Sequence, residues 1–155
     1  MLDLIIGASV DLESFMFGTP RAGLGQVREL LTELQSNRCF YCGTALHAMG
    51  EVDHFVPWSR YSQDLAHNFV LAHSACNRSK SDLLAAERHV VAWLKRNDTH
   101  GAEIEGGLQG FFADADRSRA VARWAYQQSM DIEARVWIRG SEFEPIRGSC
   151  LALLS

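Results

Sequence analysis

Two short cysteine-bearing stretches, Cys39-Phe40-Tyr41-Cys42-Gly43 and His73-Ser74-Ala75-Cys76, limit what this chain can fold into more than any other feature. Together they read C-x2-C-x30-H-x2-C. The glycine after the second cysteine admits the positive φ of a tight two-thiolate turn. At the start of a helix, His73 and Cys76 stand three residues apart and share a face, so this second pair is able to chelate. The spacing therefore predicts a structural Cys3His zinc site built from Cys39, Cys42, His73 and Cys76. A redox C-x-x-C is the competing reading, but it sits at a strand-to-helix junction of a βαβ pattern, which this region lacks. A third reading has the thiols as small buried side chains. Cys150 has no partner and is expected as a thiol in an apolar tail.

Composition narrows the class. The chain has 155 residues, enough for one domain or for one small domain with an appended segment. Its 47% hydrophobic content is that of an ordinary globular protein. No apolar run approaches the roughly 20 residues of a spanning helix, and MLDLIIGASV, carrying Asp3, lacks the basic region of a signal peptide. A cytoplasmic protein with no membrane association is expected. Net charge is −4, yet the charge is uneven. Residues 1–53 hold three basic against seven acidic side chains, 54–96 six against three, and 97–155 six against nine. Only the middle segment is basic, which is compatible with phosphate binding because affinity depends on the contacted surface.

Along the chain, GTPRAG (18–23) reads as a loop, and Leu24, Val27, Leu30, Leu31 and Leu34 recur at helical spacing. Residues 52–56 and 69–72 are short β-prone runs joined by a polar loop with Pro57 and Ser59. A helix is predicted from Ser74, continuing or restarting over 82–96; 100–110 reads as a glycine-rich connection, 117–130 as a helix and 134–140 as a strand. The termini do not carry the marks of well-capped domain ends, so a fragment of something longer is expected.

Between the cysteine pairs lies a second pattern. The order C-x2-C, D-H-x2-P-x-S, N-x3-A, C-N-x2-K over about residues 38–82 resembles the HNH endonuclease family. The resemblance implies an α+β fold with a ββα-metal core, flanking helices and a zinc staple. It divides the chain into a lead-in with a helix (1–37), the nuclease core (38–97) and a helix and strand segment packing on that core (98–155). It also implies site roles. Asp53 corresponds to a carboxylate ligand of a catalytic divalent ion and His54 to the general base. Asn68 corresponds to the residue that fixes the loop and orients His54, and Asn77 to a second metal ligand. The chemistry suits these types, since a histidine titrating near neutrality can take a proton from water, and an ion held by few protein ligands keeps positions open for phosphate oxygens. With asparagine as the last ligand, Mg2+ or Mn2+ is expected rather than a tightly held transition metal. Asp53 and His54 are neighbours on a strand and point to opposite faces, so a bend or hairpin end, which nearby Pro57 favours, is needed for both to reach one phosphate.

Arg60, Arg78 and Lys80 are candidate phosphate contacts, Lys80 first because of its fixed place in the motif. His67 is expected as an exposed loop residue, His47, His89 and His100 as surface or packing residues, and Trp58, Trp93, Trp124 and Trp137 as core. Arg117, Arg119 and Arg123 follow Asp114 and Asp116 and read as a solvated helix face. The expected function is metal-dependent hydrolysis of DNA, giving 5′-phosphate and 3′-hydroxyl ends. Its rivals are a zinc-stapled docking module without turnover, and the nuclease part of a larger defence or guide-directed protein or ribonucleoprotein assembly. Oligomeric state is left open.

Overall fold

The computed structural model describes residues 21–155. Within them, helix α1 (Arg21–Leu34) buries Val27 and Leu31 completely, as the apolar spacing requires. The loop read at 18–23 lies in part outside the described residues, as does the whole of the N-terminal stretch tested for a leader, and the last three residues of that loop open this helix. After α1, Ser36 and Asn37 take positive φ, and the side chain of Gln35 bonds both the N–H and the carbonyl of Leu71. The chain thus enters the Cys39–Gly43 turn already fastened to what becomes β2. The turn closes through Gly43 N–H to Cys39 O at 2.9 Å, and Gly43 has φ +74°, the conformation foreseen for it.

Strands β1 (Glu51–His54) and β2 (Phe69–Ala72) pair antiparallel, with Asp53 opposite Val70 and His54 opposite Phe69. Every residue of β2 is buried. Helix α2 (Ser74–Lys80) follows at once and stops at Ser81, which has positive φ. These elements make the ββα unit expected of the α+β reading.

A second layer covers its back. Helix α3 (Glu87–Gly107) restarts after α2 and takes in most of the stretch read as a glycine-rich connection. That reading is corrected: these residues are helical, and a Cβ on Gly107 would stand 2.9 Å from Leu30, so this glycine serves close packing of the helix. Trp93 stacks on Phe55 at 4.8 Å between ring centroids and donates its indole N–H to the His67 carbonyl. Arg96, buried beside it, donates to the carbonyls of Phe69 and His67, and burial brings its guanidinium down to about 10.

Helix α4 (Ala115–Asp131) is capped by Asp114, whose carboxylate accepts from Arg117 N–H. The hairpin of β3 (Arg135–Arg139) and β4 (Glu142–Pro145) and the short α5 (Gly148–Leu153) complete the described residues. Trp137 of β3 bonds Leu84 and Ala86 through its backbone, and the Tyr126 hydroxyl donates to Ala85 O. The hairpin and α4 therefore grip the link between α2 and α3. Trp93, Trp137 and Cys150 are buried as expected, whereas Trp124 is 45% exposed and is not a core residue.

Because Trp93 joins the loop, the sheet and α3, Trp93→Ala should cost about 3–5 kcal/mol. A urea midpoint shift corresponding to less than about 1 kcal/mol would show that this contact is not what unites the two layers.

Candidate metal and catalytic site

The turn and the start of α2 bring Cys39, Cys42, His73 and Cys76 together, their ligand atoms all within 4.8 Å of one another. Cys42 Sγ lies 3.2 Å from His73 Nδ1, and the His73 backbone N–H donates to Cys39 Sγ. His73 Nε2 is 3.0 Å from the Ala45 carbonyl. A carbonyl only accepts, so Nε2 carries the proton and Nδ1 turns its lone pair to the thiols, as in an oriented metal ligand. Burial pushes the Cys42 thiol up, but hydrogen bonds, first from Thr44 and then from Cys39, outweigh it and bring the group down to about 6. Burial, reinforced by Cys39 and Cys42, pushes Cys76 up to about 12. Three thiolates cannot coexist here without a cation, and the donor set could hold zinc.

Next to this cluster, β1 presents two faces. Glu51 and Asp53, two residues apart, face α2. Glu51 accepts from the Asn77 side-chain N–H at 3.0 Å. Asp53 Oδ2 accepts from the Tyr41 hydroxyl at 2.6 Å and lies 3.3 Å from Lys80 Nζ. Lys80 is fully buried, donates also to the His54 carbonyl, and stands over the Tyr41 ring. Burial pushes the Lys80 ammonium down and the Asp53 carboxylate opposes it; burial and then Asp53 hold the Tyr41 hydroxyl well above its ordinary value. Lys80 is thus placed behind Asp53, away from solvent, and not where a phosphate could reach it. That corrects its expected position: an ammonium this deep is kept by the carboxylate that faces it.

On the other face of the strand, His54 Nε2 is 2.7 Å from Asp64 Oδ1, both side chains being about one-sixth exposed (17% and 16%). The imidazole rests on Phe69, with Trp58 near it. With the Nε2 proton directed at Asp64, Nδ1 is left as the acceptor. Asp53 and His54 keep the opposite directions that strand alternation demands, and among the described residues Lys80 is bonded to both. Asn68 clamps the connecting loop, accepting from Val56 N–H at 2.8 Å and donating to Val56 O at 2.9 Å.

Arg78 is exposed and Arg60 half-buried, and neither side chain has a hydrogen bond or ion pair with another described residue. His67 is 2% exposed, with Nε2 at the Gly101 carbonyl, so its expected position in an exposed loop is corrected as well. The close approach of α3 seals it in. Sequence reasoning passed over Glu51, Asp64 and Tyr41. Glu51 could have been found from its period-2 relation to Asp53. Tyr41 was seen only as part of a turn, and no local pattern ties Asp64 to a histidine ten positions earlier.

Among known proteins, residues 39–86 match the family model described as HNH endonuclease. No curated protein and no solved structure matches the chain.

Removing one member of the buried pair should expose its cost. Lys80→Met alone should destabilise the protein by about 3–5 kcal/mol, and adding Asp53→Asn should recover much of that loss. A denaturation cycle in which the two changes simply add would mean that the pair is not coupled.

Proposed function

Residues 39–86 belong to the HNH endonuclease family, and on that basis we propose that the protein is a metal-dependent endonuclease hydrolysing phosphodiester bonds in DNA. The observation that carries this reading is His54, held by Asp64 at 2.7 Å with one ring nitrogen left to accept a proton. His54 Nδ1 takes a proton from the water whose oxygen attacks phosphorus. The bond to the 3′ oxygen breaks and that oxygen takes a proton from solvent water, giving 5′-phosphate and 3′-hydroxyl ends. Asp64 is a positioning residue: it fixes the tautomer of His54 and favours the imidazolium formed as the proton arrives. Asn68 holds the loop on which Asp64 rides. Arg60 and Arg78 contact phosphates, while Lys80 anchors Asp53.

The residues present fit two metals. Cys39, Cys42, His73 and Cys76 would hold structural Zn2+, which ties the turn to α2. The oxygen donors Asp53 and Asn77, with Glu51 beside them, suit a hard cation such as Mg2+ or Mn2+. When bound, that ion would supply positive charge to the phosphate and the leaving oxygen.

One observation favours a second reading. Asp53 already has Tyr41 and Lys80 as partners, as a purely structural carboxylate would. In that case the segment is a zinc-stapled docking module without turnover.

Two measurements separate the readings. In a supercoiled-plasmid time course, native protein should relax the plasmid with Mg2+ or Mn2+ and not without a divalent ion. His54→Ala should lose at least about 100-fold in rate, and Asp64→Asn at least about tenfold in kcat. Binding without cleavage under either ion would leave the docking module; equal rates for native and His54→Ala would sink the assignment of the base. For the staple, metal analysis should find one zinc per chain, lost in Cys76→Ser together with cooperative unfolding. A native, folded protein free of zinc would refute it.

A further inference from the structure

On the outward face of α4, Arg117, Ala120, Val121 and Trp124 line a cleft of about 340 Å³, and Tyr61 closes it from the other side. Their spacing puts the four on one helical face. The opposite face of α4 sends Ala122, Ala125 and Tyr126 into the core. Trp124 is therefore carried by a helix anchored in the core while almost half of its own surface meets solvent. Beside it, Phe112 is 55% exposed, with the Arg117 guanidinium 5.6 Å from its ring centroid. Arg119 is engaged by Asp116, whereas Arg117 has an aromatic face for its neighbour and lines the cleft.

This surface is joined to the loop that follows His54 and carries Asp64. Tyr61 lies three residues before Asp64 in that loop. From the other side, Ala66 N–H donates to the Phe112 carbonyl, and Leu65 bridges to Phe112. The cleft and the histidine thus share one short stretch of backbone.

We propose that this cleft receives an unpaired nucleobase of the substrate strand, stacked on Trp124 and Tyr61, with Arg117 meeting the adjoining phosphate. The inference rests on the endonuclease reading and names a substrate class for it. The volume is at the small end of the range for ligand pockets, about 300–1,000 Å³, and suits one planar ring system. Exposed aromatics beside a guanidinium are the means by which single strands are held without reading sequence. In a duplex both faces of a base are covered by its neighbours, so a stacking cleft takes only a base outside the pair. The enzyme should accordingly prefer DNA with unpaired nucleotides beside the cut, such as a flap, a bubble or a single strand. A protein segment is the other conceivable occupant, but a cleft of this size with an arginine in its wall offers little dry area to one.

The test measures binding apart from cleavage. Full-length His54→Ala protein is titrated with a fluorescein-labelled single-stranded oligonucleotide and with the blunt duplex of the same sequence. Trp124→Ala in this background should weaken single-strand binding about tenfold, Trp124→Phe should keep it within about threefold, and duplex binding should stay nearly constant. Ala120→Glu, an exposed helix position, places a carboxylate in the cleft and should weaken single-strand binding as much without disturbing the fold. With His54 restored, the same variants should raise KM on a bubble substrate and leave kcat unchanged. Unaltered single-strand affinity in both Trp124→Ala and Ala120→Glu overturns the proposal, leaving the surface to a protein partner, whatever the plasmid assay shows. Trp124-dependent binding by a native protein that never cuts would instead uphold the cleft and sink the endonuclease reading.

Discussion

The side-chain amide of Asn68 gives one hydrogen bond to the backbone of Val56 and receives another, while the Asn68 carbonyl accepts from Phe55. Only a side chain with a donor and an acceptor side by side can meet both Val56 groups, so aspartate or leucine would leave a buried polar atom without a partner. One residue earlier, the His67 carbonyl accepts from Trp93, Arg96 and Asn97. Two successive residues thus fasten the loop on its front and the long helix α3 behind it. Displacing either would move Asp64 and, with it, the imidazole of His54.

The sheet then sorts the chemistry. Alternation along β1 sends Glu51 and Asp53 toward α2 and His54 toward Asp64, so the two carboxylates and the imidazole are separated by the thickness of one strand. Lys80 crosses this divide through its bonds to Asp53 and to the His54 carbonyl, and locks the end of β1 against α2.

Much of this arrangement could be read from residue order. The cysteine spacing, the helical period of α1 and the β-prone runs 52–56 and 69–72 are local signals, and local structure follows them. The extent of α3 was hidden because Gly101, Gly106 and Gly107 lower helix propensity, while the close approach of Gly107 to Leu30 is tertiary. The same holds for the short β4 and α5, which have little pattern of their own. Burial of His67 and Lys80 depends on which distant element covers them. In the site, the residue types of the motif were legible, but their partners were not. Asp64 and Tyr41 meet His54 and Asp53 only after the loop and the knuckle have folded, and Trp124 looks like any core tryptophan until α4 is seen to turn it outward.

Burial of Lys80 also changes what the protein shows to an anion. Its other lysine, Lys95, is exposed on α3, so all the remaining cationic side chains are arginines. Guanidinium is planar, weakly hydrated and charged at any physiological pH, and it binds phosphate through paired N–H groups rather than as a point charge. Any contact that these exposed cations make with an anion would therefore be largely directional and insensitive to alkalinity. Reagents that acylate amines would reach one described lysine side chain, Lys95, whereas those that modify guanidinium would remove nearly all of the exposed positive charge.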